Sequence, residues 1–295
     1  MGRNLHEQRV ERQLLIVLLP SLALLSAFVI YPALYSVYLS FTNEALVGPG
    51  ALAPRLVGLR NYARLFNDTK FWNSLLVTFV FVLGSAVIGQ FVLGLVCAMA
   101  LRRPIRLRRI FSSIILLPNA APEVVAGFMW ISMLSGGEHA TLSRIVAAFG
   151  VEPADWLNTF PLAMIIVVNT WRGIATAMIL LTAGLSTIPS EIYEAARMDG
   201  ATPQQMFRRI TLPLMMPTIL LYMLISAVST IAVFGLVYAL TRGGPGGATE
   251  LVSIYIYNQS FAAYQLGYGA AVAVIVLIIA LLLGVGYVKA MKVEI

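Results

Sequence analysis

Charged residues are scarce in this chain. Only 11% of its 295 residues are Asp, Glu, Lys or Arg, whereas 59% are hydrophobic. A soluble domain of average composition carries about 25% charged residues, and a chain of this length cannot hide so much apolar surface in a core of its own. The composition therefore predicts a protein whose solvent is lipid.

Lysine, histidine and cysteine are nearly absent, and each absence removes a class of chemistry. None of the lysines follows a glycine, so the chain lacks the G-x-x-x-x-G-K-[ST] loop that would bind ATP. The two histidines, His6 and His139, are far apart and stand near no cysteine cluster, so we expect no metal site. Cys97, the single cysteine, cannot form an internal disulfide. Nothing in the sequence indicates an enzyme or a bound cofactor.

Long apolar runs occupy most of the chain. About 20 apolar residues cross a bilayer as one helix, and six runs are long enough, at residues 14–41, 75–101, 110–134, 160–182, 219–240 and 267–288. The first run is longer than the core of a signal peptide, which has about 7–15 residues, so we interpret it as a retained span. Pro20 and Pro32 are predicted to kink it.

The basic residues predict how the spans are oriented. Thirteen of the 20 Lys and Arg residues lie on the side of the two termini, six lie on the other side, and Arg172 lies within a span. The positive-inside rule then places both termini, with residues 102–109 and 183–214, in the cytoplasm. We interpret the net charge of +7 as this topology signal, because no basic patch interleaved with aromatic residues indicates nucleic-acid binding.

A charged stretch at residues 189–213, here called the capped segment, interrupts the apolar runs with the sequence PSEIYEAARMDGATPQQMFRRITLP. Ser190 is a favoured N-cap residue, Gly200 can take the positive φ of a helix stop, and Thr202 begins a capping box. The pattern predicts two short helices joined by a turn, the second ending before Pro213. Such an element either docks a partner or is an ordinary solvated loop.

The capped segment resembles the EAA motif of membrane subunits of bacterial ATP-driven (ABC) importers, through Glu194-Ala195-Ala196, Asp199-Gly200-Ala201, Phe207, Ile210 and Leu212-Pro213. Three other stretches are similar to the carbohydrate-importer subfamily: GLRNYARLFNDTKFWNSLLVT at 58–78, LPNAAPEVVAGFMW at 117–130 and LTRGGPGGATE at 240–250. The GGP turn in the last of these resembles the type of the larger membrane subunit of the maltose importer. The resemblance runs from about residue 14 to the end of the chain.

The resemblance implies an all-α integral membrane protein, with six transmembrane helices and a cytoplasmic coupling helix, in the type I ABC importer fold. Residues 1–295 would form one permease domain, with its core at 75–288 and its coupling loop at 189–213. The implied partners are a second similar permease subunit, two ATPase subunits that bind the ATP and Mg, an extracytoplasmic substrate-binding protein and the bacterial inner membrane. The residues implied in ATPase coupling are Glu194, Ala195, Ala196, Asp199, Gly200 and Ala201, with Glu194 against a basic residue of the ATPase.

Arg172 is a charge in the middle of the fourth apolar run. A central arginine costs about 2.5–3.5 kcal/mol on insertion scales, so it should face a polar interior. It either pairs with another subunit or a carbonyl group, or it contacts substrate. Because a guanidinium favours carboxylate, sulfonate or phosphate groups, the second alternative predicts an acidic sugar or glycoside as cargo.

The resemblance also implies a substrate lining on the fourth and fifth spans, made of Asn169, Arg172, Gly173, Thr176, Ser226, Ser229, Thr230 and Val233. Several of these depart from the residues of the maltose importer, so maltose itself is not the expected cargo. Trp130, Trp171 and Tyr238 either stack on a sugar ring or pack as interface anchors.

An ion-gradient-driven secondary transporter is the alternative function. Such a protein needs acidic residues within the membrane as ion or proton sites. Glu123 is the only acid within a predicted span, where the dipole at a helix N-terminus favours it. No inverted repeat is evident, so the sequence favours the importer subunit.

Overall fold

The computed structural model describes residues 18–102, 106–136, 140–150 and 154–290. Several predictions lie outside these ranges: the start of the first span at residue 14, the placement of both termini, and Arg3, Arg9, Arg12, Arg103, Lys292, His6 and His139. The helices, in chain order, are α1 (Leu18–Ser40), α2 (Pro49–Leu52), α3 (Arg60–Phe66), α4 (Thr69–Arg102), α5 (Arg108–Ala120), α6 (Glu123–Leu134), α7 (Thr141–Ala148), α8 (Trp156–Thr159), α9 (Pro161–Ser186), α10 (Ser190–Met198), α11 (Pro203–Ile231), α12 (Gly235–Thr241), α13 (Val252–Tyr257) and α14 (Leu266–Ala290).

Five of these helices are long and apolar enough to cross a membrane: α1, α4, α9, α11 and α14. Apolar runs become helices in lipid because a helix satisfies every backbone polar group within its own segment. The third predicted span, residues 110–134, is not one straight helix. It consists of α5 and α6, which meet at an angle of 103°. Pro122 explains the break, because it has no N–H to donate and pushes Ala121 into the extended conformation that is observed.

Wide π-helical turns accommodate two of the prolines. In α1 the turn Ser26–Ile30 ends two residues before Pro32. In α11 the turn Phe207–Thr211 precedes Pro213, and the helix continues without ending. The prediction that this helix breaks before Pro213 is therefore wrong. The wider turn leaves room for a ring that would clash with the carbonyl of a regular turn.

The fifth predicted span, residues 219–240, is wrong at both ends. Its helix begins in the capped segment, at Pro203, and ends at Ile231, while residues 235–241 form the separate helix α12. The break at residues 232–234 falls inside an apolar stretch. Hydrophobicity alone does not mark such a break.

The described residues group into two compact units, the first made of the described part of 1–68 with 256–277. In this unit the side-chain amide of Asn61 donates to the carbonyl groups of Ser40, at 2.9 Å, and Thr42, at 2.8 Å. These bonds fix the chain where it leaves α1. The single domain predicted for residues 1–295 stays a prediction.

The second unit comprises residues 69–255 and the described part of 278–295. It contains two apolar clusters; α4 and α9 contribute to both, and α11 contributes to one of them. One cluster includes Phe81, Ile165 and Leu236, all fully buried. The other includes Ala98 and Leu181, also fully buried. The buried polar residues Ser85 and Gln90 of α4, with Asn169 and Thr170 of α9, lie between the residues of the two clusters.

Three glycines bring α4 against α9. A Cβ atom at Gly84 would lie 3.0 Å from the side chain of Ile166, and one at Gly94 would overlap Ala177. Gly89, one and a half turns from each, also faces α9. Small residues at a helix interface allow close approach of two backbones in a membrane.

The capped segment has the turn that the sequence predicts but not its first cap. Ser190 is the first residue of α10 rather than its N-cap; the N-cap position is Pro189, and no side chain caps this end. Gly200 has a φ of +75°, as predicted. Thr202 and Gln205 form the predicted capping box, with bonds of 2.7 and 3.3 Å between the backbone of each and the side chain of the other.

Candidate functional site

A buried layer of polar side chains joins α4, α9 and α11. Gln90, Asn169 and Ser226 supply one side chain from each helix, and each is less than 10% exposed. Ordinary apolar packing would not select such side chains, because a buried amide without hydrogen bonds is costly. The layer therefore marks a place where the three spans meet around polar contacts.

Gln90 links the three helices. Its Nε2 donates to the carbonyl oxygen of Asn169 at 3.0 Å, and its Oε1 accepts from the hydroxyl of Ser226 at 3.0 Å. The amide of Asn169 in turn donates to the hydroxyl of Ser85 at 2.9 Å. Each amide is thus partly satisfied within the protein.

Gly173 makes the link possible. A Cβ atom at this position would overlap the amide of Gln90. The absence of a side chain on this turn of α9 is what lets Gln90 reach across from α4.

A cavity of about 150 Å³ opens beside this layer. All eight residues that the sequence predicts as substrate lining contribute to it, namely Asn169, Arg172, Gly173, Thr176, Ser226, Ser229, Thr230 and Val233. The structure thus brings the predicted residues together around one cavity. Their contact with substrate stays a prediction.

Five further lining residues were missed by sequence reasoning: Gln90, Asn119, Glu123, Tyr222 and Ile225. Gln90 and Asn119 carried a usable signal, because each is an isolated amide in an apolar run. Tyr222 and Ile225 lie one helical turn before two predicted lining residues, on the same face of α11. The sequence analysis predicted for Glu123 only a position at a helix N-terminus, not a place in the cavity.

Arg172 and Glu123 form an ion pair at the edge of the cavity. The Arg172 Nη1 lies 2.9 Å from the Glu123 Oε1, with the two side chains 20% and 34% exposed. The partner is a carboxylate of the same chain, which neither sequence alternative named. The helix-terminus interpretation of Glu123 holds as well, since it occupies the first turn of α6. Together the two residues give this part of the cavity no net charge.

The aromatic residues considered for sugar stacking lie outside the cavity lining. Trp130 of α6 and Trp171 of α9 contact each other edge to face, with ring centroids 5.5 Å apart. Tyr238 stacks on Phe234 with centroids 5.0 Å apart. Their contacts are those of packing residues.

The capped segment presents a second candidate surface. Of the six residues implied in coupling, Glu194, Ala195, Asp199 and Gly200 are exposed, while Ala196 and Ala201 are half-buried. Met198 is 89% exposed in the middle of this set. An exposed methionine beside a tight turn is a feature that the sequence analysis did not single out, although flexible Met side chains are well suited to binding surfaces.

Tyr193 attaches α10 to the spans. Its ring is 8% exposed, and its hydroxyl is 2.9 Å from the hydroxyl of Thr211 in α11. The guanidinium of Arg102, at the end of α4, lies over the ring at 4.5 Å from the centroid. One face of α10 is therefore held against two spans while the opposite face is exposed.

Among the described residues, no group of three or more His, Cys, Asp or Glu side chains could hold a metal ion.

A set of membrane-spanning helices around a polar cavity, with a firmly attached helix at its edge, defines a polytopic membrane protein of the transporter class. The chain belongs to the family described as binding-protein-dependent transport system inner membrane component, whose match covers residues 90–290. It is thus a multi-pass inner membrane protein of ABC importer permease type.

The relatives are permeases of similar length. The chain is 31% identical over 277 residues to the trehalose/maltose transport system permease protein MalF of Thermococcus litoralis, covering 93% of this chain and 92% of that protein. It is also 31% identical to two permeases of Agrobacterium fabrum. These are the sulfoquinovosyl glycerol permease SmoG, covering 96% and 91% of the two chains, and the sn-glycerol-3-phosphate permease UgpA, covering 90% and 89%.

Solved structures share the fold. A chain of a bacterial alginate ABC transporter, in complex with an alginate-bound periplasmic protein, superposes with a TM-score of 0.81 at 20% identity, covering 99% of this chain and 98% of that one. A chain of the MetNI methionine ABC transporter superposes with a TM-score of 0.54 at 21% identity, covering 79% and 97%. The predicted importer fold is confirmed.

Proposed function

We propose that this chain is the transmembrane subunit of an ATP-driven carbohydrate importer. It would form half of the substrate pathway, together with a second similar permease. It would receive cargo from an extracytoplasmic binding protein and couple to two separate ATPase subunits that bind ATP and Mg. The observation that carries the proposal is the polar cavity between α4, α9 and α11, lined by all eight predicted residues in a chain of this family.

The size of the cavity fits half of a pathway. At about 150 Å³ it is smaller than the roughly 300–1,000 Å³ of pockets that enclose a small ligand. A sugar held there would need further walls, which a second permease would supply. The lining offers amides and hydroxyls that match the hydroxyl groups of a sugar, with Asn169, Ser226 and Thr230 as the innermost ones.

The capped segment is the proposed coupling element, on the cytoplasmic side. ATP-driven closure of two ATPases must move the spans, and a stiff element transmits such a motion better than a mobile loop. The Tyr193 contacts join α10 to both α4 and α11, so a push on α10 reaches two helices of the cavity. Glu194, exposed on α10, would face a basic residue of the ATPase, and Gly200 would provide the tight turn.

The proposed cargo is an acidic sugar or glycoside that reaches Arg172. Its guanidinium lines the cavity and can hold a carboxylate, sulfonate or phosphate through paired hydrogen bonds. Relatives at the same identity carry cargo of different kinds by name, trehalose/maltose in one and the anion sn-glycerol-3-phosphate in another. Identity at this level therefore does not fix the cargo.

Purification of the tagged chain in mild detergent tests the importer proposal. We expect an ATPase subunit and a second permease to copurify and uptake to be sensitive to vanadate. Uptake that resists vanadate and collapses with an uncoupler would instead identify a secondary transporter.

Glu194→Lys should abolish import while the subunit is still made and inserted. Glu191→Lys, in the same helix and also exposed, is the matched control.

Arg172→Leu tests the acidic cargo. We expect loss of uptake of the cargo that the cognate binding protein selects from a screen of acidic and neutral sugars. Unchanged uptake of that cargo would contradict the role of Arg172 without affecting the importer assignment.

A further inference from the structure

We propose that Glu123 is a built-in competitor for the acidic group of the cargo. It holds Arg172 until a cargo anion takes its place, so the cavity selects anionic over neutral sugars. This inference rests on the proposed function and names the residue that an acidic cargo must displace.

The ion pair leaves most of the guanidinium unused. Arg172 contacts Glu123 through one nitrogen, at 2.9 Å, and its Nε is buried with no hydrogen-bond partner among the described residues. A guanidinium has five N–H donors and binds a carboxylate best through two parallel bonds. A cargo carboxylate, phosphate or sulfonate could therefore offer Arg172 more than Glu123 does.

Glu123 can leave Arg172 without becoming a stranded charge. Its side chain is 34% exposed and lines the cavity. It also lies in the first turn of α6, where the helix dipole favours a carboxylate whether or not Arg172 is near. The break at residues 121–122 lies directly before Glu123, so the start of α6 can shift without bending a continuous helix.

Only an anionic group can replace Glu123 on Arg172 at low cost. A cargo anion that replaces Glu123 keeps Arg172 paired with a negative charge. A neutral sugar that did so would leave a largely buried arginine with only hydroxyl acceptors, which are weaker partners. Selectivity is a difference between two affinities. Arg172 provides the preference for an anion, and Glu123 lowers the affinity for the acidic cargo that must displace it more than for a neutral cargo that leaves the ion pair intact.

The same two helices carry an internal optical reporter. Trp171 is adjacent to Arg172 on α9, and its ring contacts Trp130 on α6, the helix that begins with Glu123. Release of Glu123 from Arg172 alters the surroundings of this indole pair.

The test uses the whole importer complex, purified through this chain and held in lipid nanodiscs. The probes are methyl β-D-glucuronide and methyl β-D-glucoside, which differ only in the acidic group, and the readout is tryptophan fluorescence with Trp171→Phe as the blank. We expect wild type to prefer the glucuronide. Glu123→Gln should bind the glucuronide at least about 10-fold more tightly. The glucoside affinity of Glu123→Gln should change less. Arg172→Gln combined with Glu123→Gln should bind the two probes equally, whereas Arg172→Gln alone leaves the Glu123 carboxylate in the cavity and should bind the glucuronide more weakly than the glucoside.

Several outcomes would overturn the inference: an unchanged ratio of glucuronide to glucoside affinity in Glu123→Gln, weaker glucuronide binding in that variant, or no response to either probe in wild type. Arg172→Lys is the control for misfolding. It keeps the positive charge but loses the paired donors of the guanidinium, and it should retain part of the preference for the glucuronide. The importer proposal is judged separately, by ATPase copurification and vanadate-sensitive uptake, which stand whatever the probes do.

Discussion

The guanidinium of Arg102 lies over the ring of Tyr193, 4.5 Å from its centroid. This contact joins the end of α4 to the middle of α10. The Tyr193 hydroxyl also bonds to Thr211, at the wide turn near the start of α11. A single buried ring thus connects the capped segment to two of the three helices that supply the polar layer.

Tyr193→Ala is expected to uncouple the transporter. Removal of a large buried side chain costs about 3–5 kcal/mol, and here the loss would loosen α10 from both spans. We expect ATP hydrolysis by the assembled complex to persist while sugar imported per ATP falls. Tyr193→Phe is the control, because it keeps the ring over Arg102 and loses one hydrogen bond, worth about 1 kcal/mol. Equal stoichiometry in Tyr193→Ala and wild type would contradict this role.

A substitution at Gly200 can show whether this turn is needed for folding or for docking of a partner. It has a φ of +75°, and no atom of the described chain lies within 4 Å of a Cβ atom placed there. Gly200→Asn should fold normally, because Asn tolerates left-handed geometry. We expect import to be lost in Gly200→Asn if an ATPase occupies the open space, with thermal stability within about 1 kcal/mol of wild type. Full import by this variant would mean that nothing docks at the turn.

Gly173→Ala is expected to displace Gln90. The new Cβ would overlap the Gln90 amide and break its bonds to Asn169 and Ser226. Since each buried polar group left unsatisfied costs about 1–3 kcal/mol, the variant should unfold at a lower temperature and import more slowly. Gln90→Ala combined with Gly173→Ala relieves the overlap, so the double variant should be more stable than the sum of the single effects predicts. Strict additivity would argue against a direct contact.

Gly94→Leu tests the approach of α4 to α9, with Gly284→Leu as the matched control in another span. A Cβ atom at Gly94 would overlap Ala177, whereas none of the described atoms lies within 4 Å of one at Gly284. Overpacking of this kind costs about 1–3 kcal/mol or more. We expect thermal unfolding of the isolated chain in detergent to shift down for Gly94→Leu only. A similar shift in both variants would show that lipid-facing glycines are equally sensitive.

Long apolar runs were predictable, and their breaks were not. The run predicted at residues 160–182 corresponds to α9, Pro161–Ser186, because one helix satisfies its own backbone throughout. The run at 110–134 hides a turn of 103°, and the break near residue 232 lies in a stretch as apolar as its neighbours. A wide turn before Pro213 likewise let a helix continue where proline normally ends one. Hydropathy is averaged over a window of many residues, so it does not reveal helix breaks or wide turns of a few residues.

The lining residues were placed by resemblance and assembled by packing. Spacing along α9 and α11 puts predicted residues on common faces, but it does not say what stands opposite. Gln90 approaches only because Gly173 has no side chain, and Glu123 reaches Arg172 only because the α5–α6 bend carries it there. Both contacts join residues more than 45 positions apart in sequence.

The sequence by itself determined what depends on composition and neighbouring residues: a lipid-embedded all-α chain, a capped and charged segment with its turn at Gly200, and an arginine that needs a polar surrounding. Transfer free energy and local hydrogen bonding decide such features within a few turns of helix. Only the tertiary structure decided that Arg172 pairs with Glu123 and that Tyr193 joins α10 to the spans. Such contacts depend on where helix breaks and close glycine packing bring distant residues together, and a single sequence carries no direct record of that.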